Sequence, residues 1–265
     1  MSKDLVQKQF GAHAASYATS RVHAKGASLA RVVELVAPQR HWRVLDIATG
    51  AGHTALAFAP HVAHVIASDI TDEMLAEARK LAADKGLANV ETAKADAEAL
   101  PFSDASFNLV TSRIAPHHFP DPARFVREVV RVLKPGGTFA LVDNIAPDTV
   151  STPGFSARDL EDAAQTYNAF EKLRDPSHAR CLGMAEWSAL MAASGLRVTH
   201  AERIPKDMEF DPWAVRLGCD AATVATLRGM LLRGAPALQA FLKPRDVEGE
   251  LWFTLDEAII TATKV

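Results

Sequence analysis

The segment Val44-Leu-Asp-Ile-Ala-Thr-Gly-Ala-Gly-His-Thr-Ala55 decides the fold of this chain. Its first residues are apolar and end in a carboxylate, a pattern typical of a buried parallel strand. Gly50 and Gly52 follow, and because they lack a Cβ atom they allow a sharp turn and a close approach of a ligand to the backbone. Residues 53–59 have helical composition, and Pro60 ends the helix. A strand, a glycine turn and a helix in this order bind a nucleotide-like ligand at the carboxyl edge of an open α/β sheet.

The alternation of strand and helix continues after this unit. Further strands are predicted at 62–68, 90–95, 107–112 and 138–143, a pattern that indicates a parallel sheet with right-handed crossovers. A strand at 196–203 and an apolar edge or antiparallel strand at 251–264 follow, and the helices between them are expected to cap the carboxyl edge. The predicted organisation is one domain over 1–265, with an N-terminal helical segment 1–40, a cofactor-binding core 41–150 and helical cap segments 151–193 and 211–245.

Composition narrows the class of partner. The chain has 265 residues, of which 48% are hydrophobic, and a formal net charge of −3, without a basic footprint for nucleic acid or an anionic membrane. No apolar run approaches the ~18 residues of a membrane span, and the charged start is unlike a secretory signal. Cys181 and Cys219 are too few and too far apart for a zinc site. We therefore expect a small-molecule substrate, no metal and a cytoplasmic location, with assembly as a monomer or a homodimer left open.

Carboxylates stand at the ends of three predicted strands. Asp69 follows Asp46 by some twenty residues, the offset at which an acidic residue binds the ribose hydroxyls of an adenosine. Asp96 ends the third strand. The turn also satisfies the dinucleotide pattern G-x-G-x-x-A, so an NAD-dependent oxidoreductase is one interpretation.

Asp46 favours a different ligand. A carboxylate before the glycines would repel a pyrophosphate, with roughly 1 to 4 kcal/mol at stake for a pair near 4 Å. S-adenosylmethionine has no phosphate and carries positive charge. Asp46 and the glycine backbone could hold its methionine end, Asp69 its ribose, and Asp96 with the Ala97 amide its adenine. The alternative is that Asp46 and Asp96 only cap a helix and a turn.

Five segments resemble, in order and spacing, the motifs of class I S-adenosylmethionine-dependent methyltransferases, in particular the methyltransferase type 11 group that includes ubiquinone/menaquinone C-methyltransferases. They are residues 44–52, 67–75, 95–102, 106–113 and 133–137. The resemblance implies a Rossmann-like, doubly wound α/β fold, with a mostly parallel seven-stranded sheet whose last strand is antiparallel. It also implies S-adenosylmethionine as cofactor and S-adenosylhomocysteine as product.

The resemblance assigns cofactor contacts residue by residue. Ala48 is a departure, because the commonest form has glycine there, and its methyl group narrows the approach to the methionine carboxylate. In the N-terminal segment, His13, Tyr17 and Ser20 either touch the ligand or lie in solvent as helix caps. The predicted cofactor-binding set is Tyr17, Asp46, Ala48, Gly50, Gly52, Asp69, Ile70, Met74 against the adenine, Asp96, Ala97 and the backbone of Arg113.

The acceptor side is predicted from two segments. His117 and His118, beyond the fourth strand, could act as a base for an acceptor that must lose a proton, such as a phenol, or could simply face solvent. Tyr167, Asn168, His178 and Arg180 in the cap are the predicted substrate-binding residues. Arg174 and Arg180 could hold a substrate carboxylate, although surface ion pairs with Glu171 and Asp175 are favoured. The predicted function is methyl transfer to a small molecule such as a phenol or quinone precursor; a non-catalytic S-adenosylmethionine-binding protein is a further alternative.

Overall fold

The computed structural model describes residues 3–11, 14 and 26–265. Within these residues, eight strands form one sheet in the order β3-β2-β1-β4-β5-β8-β6, with β7 paired to β8. The strands are β1 (Arg43–Ile47), β2 (His64–Asp69), β3 (Val90–Lys94), β4 (Phe107–Arg113), β5 (Leu133–Asn144), β6 (Leu196–Glu209), β7 (Arg245–Val247) and β8 (Glu250–Lys264).

The strand order confirms the predicted doubly wound fold. β1 pairs in parallel with β2 on one side and with β4 on the other, so the winding reverses direction beside β1. β8 runs antiparallel between β5 and β6, as the apolar C-terminal run indicates. The additional strand is β7, three residues that form a hairpin with β8. A ligand site is expected where the winding reverses, at the carboxyl ends of β1 and β4.

Helices connect and cover the strands. Those of the described chain, apart from single 3₁₀ turns, are α1 (Lys3–Gly11), α2 (Ala27–Val36), α3 (His53–Phe58), α4 (Asp72–Asp84), α5 (Pro122–Val132), α6 (Ala157–Arg174), α7 (Met184–Ala193), α8 (Phe210–Val215), α9 (Ala221–Arg233) and α10 (Pro236–Leu242). None of the helices in the described part of the chain has the length and apolarity to cross a membrane.

Two hydrophobic clusters cover the two faces of the sheet. Val32 of α2 and Phe58 of α3 pack with Val44 on one face. Phe125 of α5 and Trp187 of α7 belong to the cluster on the other face. Helix α7 packs against β6 and α5. This corrects the prediction that all of 151–193 caps the carboxyl edge, because α7 is the crossover helix that leads into β6.

The remaining helices after β5 share the core of the sheet. Helix α6 begins with a capping box between Ser156 and Asp159, which satisfies backbone donors at its first turn. Phe170 of α6 stacks on Trp213 of α8 with ring centroids 5.0 Å apart. Both rings belong to the same buried cluster as the β5 residue Phe139. Helix α6 is therefore held by apolar packing continuous with the sheet.

Candidate functional site

The buried carboxylate of Asp46 holds the glycine turn by hydrogen bonds. It is 1% exposed, and its carboxylate accepts hydrogen bonds from the hydroxyls of Thr111 and Thr49, each at 2.6 Å, and from the Ala55 amide at 3.2 Å. Burial raises the pKa of Asp46 to about 6, against the opposing effect of these hydrogen bonds. Asp46 is absent from the described wall of the cavity beside the turn. Asp46 thus holds the turn and the start of α3, and its contact with the methionine end of a ligand stays a prediction.

The turn itself has three residues in the left-handed region. Ala48, Gly50 and Gly52 have φ values of 52°, 53° and 90°. A Cβ atom on Gly52 would lie 3.0 Å from the Cβ of Ala78 in α4, so this glycine is required by conformation and by close packing. Ala48 adopts a conformation that is uncommon outside glycine, in line with the glycine that the family resemblance implies at this position.

A cavity opens at the carboxyl edge, above this turn. It contains about 1020 Å³ of space free of protein atoms, part of it open solvent. Its described walls are the turn, the ends of β2 to β4, the loop after β4 and helix α1. The predicted residues that line it are Ala48, Gly50, Asp69, Ile70, Met74, Asp96, Ala97, Arg113 and His118. Gly52 lies behind the wall, and His13, Tyr17 and Ser20 are outside the described residues.

Asp69 joins the end of β2 to the turn. Its carboxylate accepts hydrogen bonds from the Gly50 amide and the Thr71 amide, both at 2.9 Å. Burial raises the pKa of Asp69, although these hydrogen bonds oppose the shift. The Thr71 side chain and the Ile70 backbone also donate hydrogen bonds to this carboxylate, which lies in the wall of the cavity.

Helix α1, in the predicted N-terminal helical segment, forms one wall of the cavity. The Lys3 ammonium contacts Asp96 at 2.5 Å and Glu98 at 2.9 Å. Although burial opposes ionisation, this ammonium lowers the pKa of Asp96. The Gln7 amide donates to the Ile70 carbonyl at 2.8 Å, next to Asp69. Helix α1 therefore closes over the side of the cavity formed by β2 and β3.

His117 is paired with a buried carboxylate. Its Nδ1 lies 2.6 Å from Oδ1 of Asp143, the penultimate residue of β5. Burial disfavours a charged imidazole, but the charge and hydrogen bond of Asp143, together with the charges of Glu171 and Asp175, outweigh burial and raise the pKa of His117. Sequence analysis missed Asp143, although the rule that picked out Asp46, Asp69 and Asp96, a carboxylate at the carboxyl end of a parallel strand, applies to it equally.

His118 has a different environment. It lines the cavity, and its Nδ1 lies 3.0 Å from the Ser177 carbonyl oxygen. A carbonyl can only accept, so Nδ1 carries the proton and Nε2 of the neutral ring holds a lone pair. Burial and the adjacent His117 lower the pKa of His118 to about 3. His118 is thus a neutral hydrogen-bond acceptor in the wall of the cavity.

The four predicted substrate-binding residues lie away from the described cavity wall. Asn168 accepts from the Cys181 amide at 2.7 Å and pairs with Nε2 of His178 at 2.9 Å, so both hold the segment after α6. Tyr167 is fully buried, with its ring 5.4 Å from that of Phe241. Arg180 points outward to Glu186 at 2.8 Å. Each of the four residues is engaged within the protein, and direct substrate contact for them stays a prediction.

The predicted ion pairs of the cap are rearranged. Arg180 pairs with Glu186, as above, rather than with Glu171 or Asp175. Arg174 is buried, its Nε donates to the Trp213 carbonyl at 2.9 Å, and its guanidinium lies 4.3 Å from the Trp213 ring centroid. Its Nη1 lies 3.9 Å from Oε2 of Glu171, so these two residues do form an ion pair, but a buried one. Arg174 therefore anchors α8 to α6 instead of forming a surface pair.

Comparison with known proteins identifies the family of this chain. A family model described as a methyltransferase domain matches residues 45–141, which run from β1 into β5. The chain is 39% identical over 212 residues to the uncharacterized methyltransferase YcgJ of Bacillus subtilis, covering 80% of this chain and 79% of that protein. The chain belongs to the class I S-adenosylmethionine-dependent methyltransferases.

A solved structure with the same fold matches almost the whole length of this methyltransferase. The crystal structure of the YcgJ protein matches it with a TM-score of 0.79 and 35% identity, over 89% of this chain and 97% of that chain. A demethylmenaquinone methyltransferase of Clavibacter sepedonicus is 39% identical over 112 residues, which are 42% of this methyltransferase and 45% of that protein. This membership overturns the interpretation as an NAD-dependent oxidoreductase.

Proposed function

We propose that this methyltransferase binds S-adenosylmethionine in the cavity above the glycine turn and transfers its methyl group to a small-molecule acceptor. The observation that carries the proposal is the hydrogen bond from the Gly50 amide to the Asp69 carboxylate at 2.9 Å. A pyrophosphate at the turn would have to compete with this carboxylate for the amide and would be repelled by its charge. A ligand with ribose hydroxyls and a cationic centre meets no such conflict.

The residues of the cavity fit this cofactor. The Asp69 carboxylate lines the cavity at the end of β2, where ribose hydroxyls can reach it. Asp96, followed by the Ala97 amide, presents an acceptor and a donor that suit the edge of an adenine. The Met74 Sδ lies 4.0 Å from the position that a Cβ atom on Gly50 would occupy. The Met74 side chain therefore lies beside the turn, next to the adenosine subsite. When bound, the cofactor supplies an electrophilic methyl group attached to a cationic sulfur.

The protein then has to hold the acceptor in line and exclude water. His118 lines the cavity with a neutral ring, so its Nε2 can accept a hydrogen bond from an acceptor hydroxyl. Phe10 of α1 lies edge-on to the His118 ring with centroids 5.0 Å apart. Together these rings shield that end of the cavity.

For the acceptor we propose a phenol, quinone precursor or related ring compound. The partial similarity to a demethylmenaquinone methyltransferase supports this class. Because that similarity covers fewer than half of the residues of either protein, the particular acceptor is left to experiment.

Isothermal titration with S-adenosylmethionine, S-adenosylhomocysteine and NAD tests the cofactor. We expect the two sulfur nucleotides alone to bind, and Asp69→Ala to weaken them tenfold to hundredfold, since hydrogen bonds to a charged group contribute ~1.5–3 kcal/mol. Asp72→Ala is the matched control, because Asp72 forms an exposed pair with Lys94. Tighter binding of NAD, or equal effects of the two substitutions, would contradict the proposal. Binding without transfer of a labelled methyl group to any ring acceptor would instead support a non-catalytic binding protein.

A further inference from the structure

The cavity has a positively charged residue at each end. Among the residues that the structure describes in its wall, Lys3 and Arg113 are those that carry a full positive charge at neutral pH. The Lys3 ammonium is ion-paired with Asp96 and Glu98, beside the end of β3. Arg113 is the last residue of β4, and its Nε donates to the Thr54 hydroxyl at 3.1 Å. Because Thr54 belongs to the first turn of α3, the guanidinium of Arg113 lies against the helix that follows the glycine turn.

The backbone amides of the glycine turn are already engaged within the protein. The Thr49 amide donates to the Ser68 carbonyl and the Gly52 amide to the Thr49 carbonyl, each at 2.9 Å. The Gly50 amide donates to the Asp69 carboxylate. These three amides cannot bind an anion without losing a partner. An anionic group of a ligand at the turn therefore needs donors from a side chain.

The residues beside the turn restrict where such an anion can bind. Ala48 lines the cavity with a φ of 52°, and its Cβ atom takes space that a glycine would leave open to a ligand. Asp69, at the end of β2, repels a negative charge. Arg113 lies on the opposite side, because β2 and β4 flank β1. The distribution of charge therefore favours an anion on the β4 side of the turn.

The surroundings of the Arg113 guanidinium favour a further anion. Burial lowers the pKa of Arg113, and the charges of Glu257 on β8 and Asp46 on β1 oppose this shift. Both carboxylates have other partners, since Glu257 is ion-paired with Lys206 at 2.6 Å and Asp46 accepts from the Thr111 hydroxyl. An arginine stays charged in proteins. A ligand carboxylate beside this guanidinium would offset the loss of solvation that burial causes.

We propose that the side chain of Arg113 binds the α-carboxylate in the methionine part of S-adenosylmethionine. This inference rests on the proposed function and differs from the backbone contact that the family resemblance implies for Arg113. The carboxylate is the single anionic group of this cofactor, and two parallel N–H···O bonds from a guanidinium match its two oxygens. With the adenosine held at Asp69 and Asp96, the methionine part extends past the turn toward β4. The anchored carboxylate then holds the sulfur on the side of the cavity that carries His118.

The test compares two ligands that differ by the carboxylate alone. S-adenosylhomocysteine and its decarboxylated analogue, an amine that keeps the adenosine and the sulfur, are each titrated into the full-length protein in a calorimeter. Wild type should bind S-adenosylhomocysteine about tenfold or more tightly than the analogue, because a charge-assisted bidentate contact is lost with the carboxylate.

Substitutions of Arg113 then assign this preference to its side chain. Arg113→Met removes the charge and should weaken S-adenosylhomocysteine binding by about tenfold or more. It should leave binding of the analogue unchanged or tighter, because it removes a cation that faces the ammonium of the analogue. Arg113→Lys should keep part of the preference, since an ammonium keeps the charge and loses the fork of donors. Arg79→Met is the matched control, because Arg79 also donates to a threonine hydroxyl, on the exposed surface of α4.

The outcomes separate this inference from the proposed function. Failure of wild type to bind either ligand overturns the proposed function itself. Equal affinity of wild type for the two ligands overturns the role of Arg113 alone. Equal weakening of both ligands by Arg113→Met indicates a merely structural role and also overturns it, as does no weakening of either. The wild-type comparison needs no variant, and Arg113→Lys replaces Arg113→Met if the latter fails to fold.

Discussion

Substitution of Thr111 by valine tests how the buried Asp46 carboxylate is stabilised. Thr111 is 1% exposed, and its hydroxyl donates to Oδ1 of Asp46 at 2.6 Å. Valine keeps the shape of threonine and removes the donor. A hydrogen bond to a charged group contributes ~1.5–3 kcal/mol, whereas one to a neutral group contributes about 1 kcal/mol. The free energy of unfolding should therefore fall more when Asp46 is ionised than when it is protonated.

The pKa of Asp46 sets the pH range of this effect. Burial raises it from 3.8 to about 6. A group whose pKa is raised by folding contributes stability below its unfolded pKa, and this contribution is lost as pH rises through the folded pKa. The shift corresponds to at most about 3 kcal/mol lost by wild type between about pH 4 and 6. Because the Thr111 hydroxyl lowers the pKa of Asp46, the valine variant should show a larger loss.

Thermal unfolding at pH 4.5 and pH 8 measures the difference. At ~2–4 °C per kcal/mol for a chain near this size, Thr111→Val should lower Tm by about 4–10 °C at pH 8 and by about half as much at pH 4.5. Thr199→Val is the matched control, because the Thr199 hydroxyl bonds the neutral Thr261 on a neighbouring strand. Equal destabilisation of Thr111→Val at both pH values, or none, would refute the account of Asp46 as a buried ion held by neutral donors.

Three further predictions concern the turn, the cap and the base. Gly52→Ala should lower the free energy of unfolding by about 1–3 kcal/mol, because of the φ of 90° and the contact with Ala78, and should weaken S-adenosylhomocysteine binding. Gly86→Ala, at a position with open space around it, should lower stability alone. Urea unfolding measures the stability and isothermal titration measures the binding. Asn168→Leu should lower the free energy of unfolding, measured in urea, by about 3 kcal/mol or more, because the buried Cys181 amide and carbonyl lose their partner. Arg180→Ala should lower it by less than about 1 kcal/mol, because it removes only a surface ion pair with Glu186. The prediction that His117 acts as a base is tested with a phenolic acceptor. The kcat/KM should rise with pH through a midpoint above 6.5, because a base must be unprotonated to act and the charge and hydrogen bond of Asp143, with the charges of Glu171 and Asp175, raise the pKa of His117 against burial. Asp143→Asn should move the midpoint down, and an unchanged profile would contradict this role.

Much of the fold follows from local sequence signals. Strands and helices alternate along the first 144 residues, and this order favours a parallel sheet. Carboxylates at strand ends predict which residues approach the cavity, since the carboxyl ends of parallel strands meet at one edge. Asp69 and Asp96 lie in the cavity wall for this reason.

The remaining features depend on contacts between distant segments. Asp46 lies under the turn because Thr111, 65 residues later in the chain, supplies a donor from the neighbouring strand. His117 and His118 are adjacent in sequence, yet Asp143 holds one ring and Ser177 holds the other. Asn168 looks like a ligand contact in the sequence, because its partner in the fold, the backbone of Cys181, carries no sequence signal.

A crystal structure of the protein with S-adenosylhomocysteine tests the central claim most directly. The account predicts the nucleotide in the cavity above the glycine turn, with ribose hydroxyls within hydrogen-bond distance of Asp69 and the adenine edge at Asp96 and Ala97. The sulfur should face the loop that carries His118. Density for the nucleotide outside this cavity, or a ribose remote from Asp69, would contradict the account.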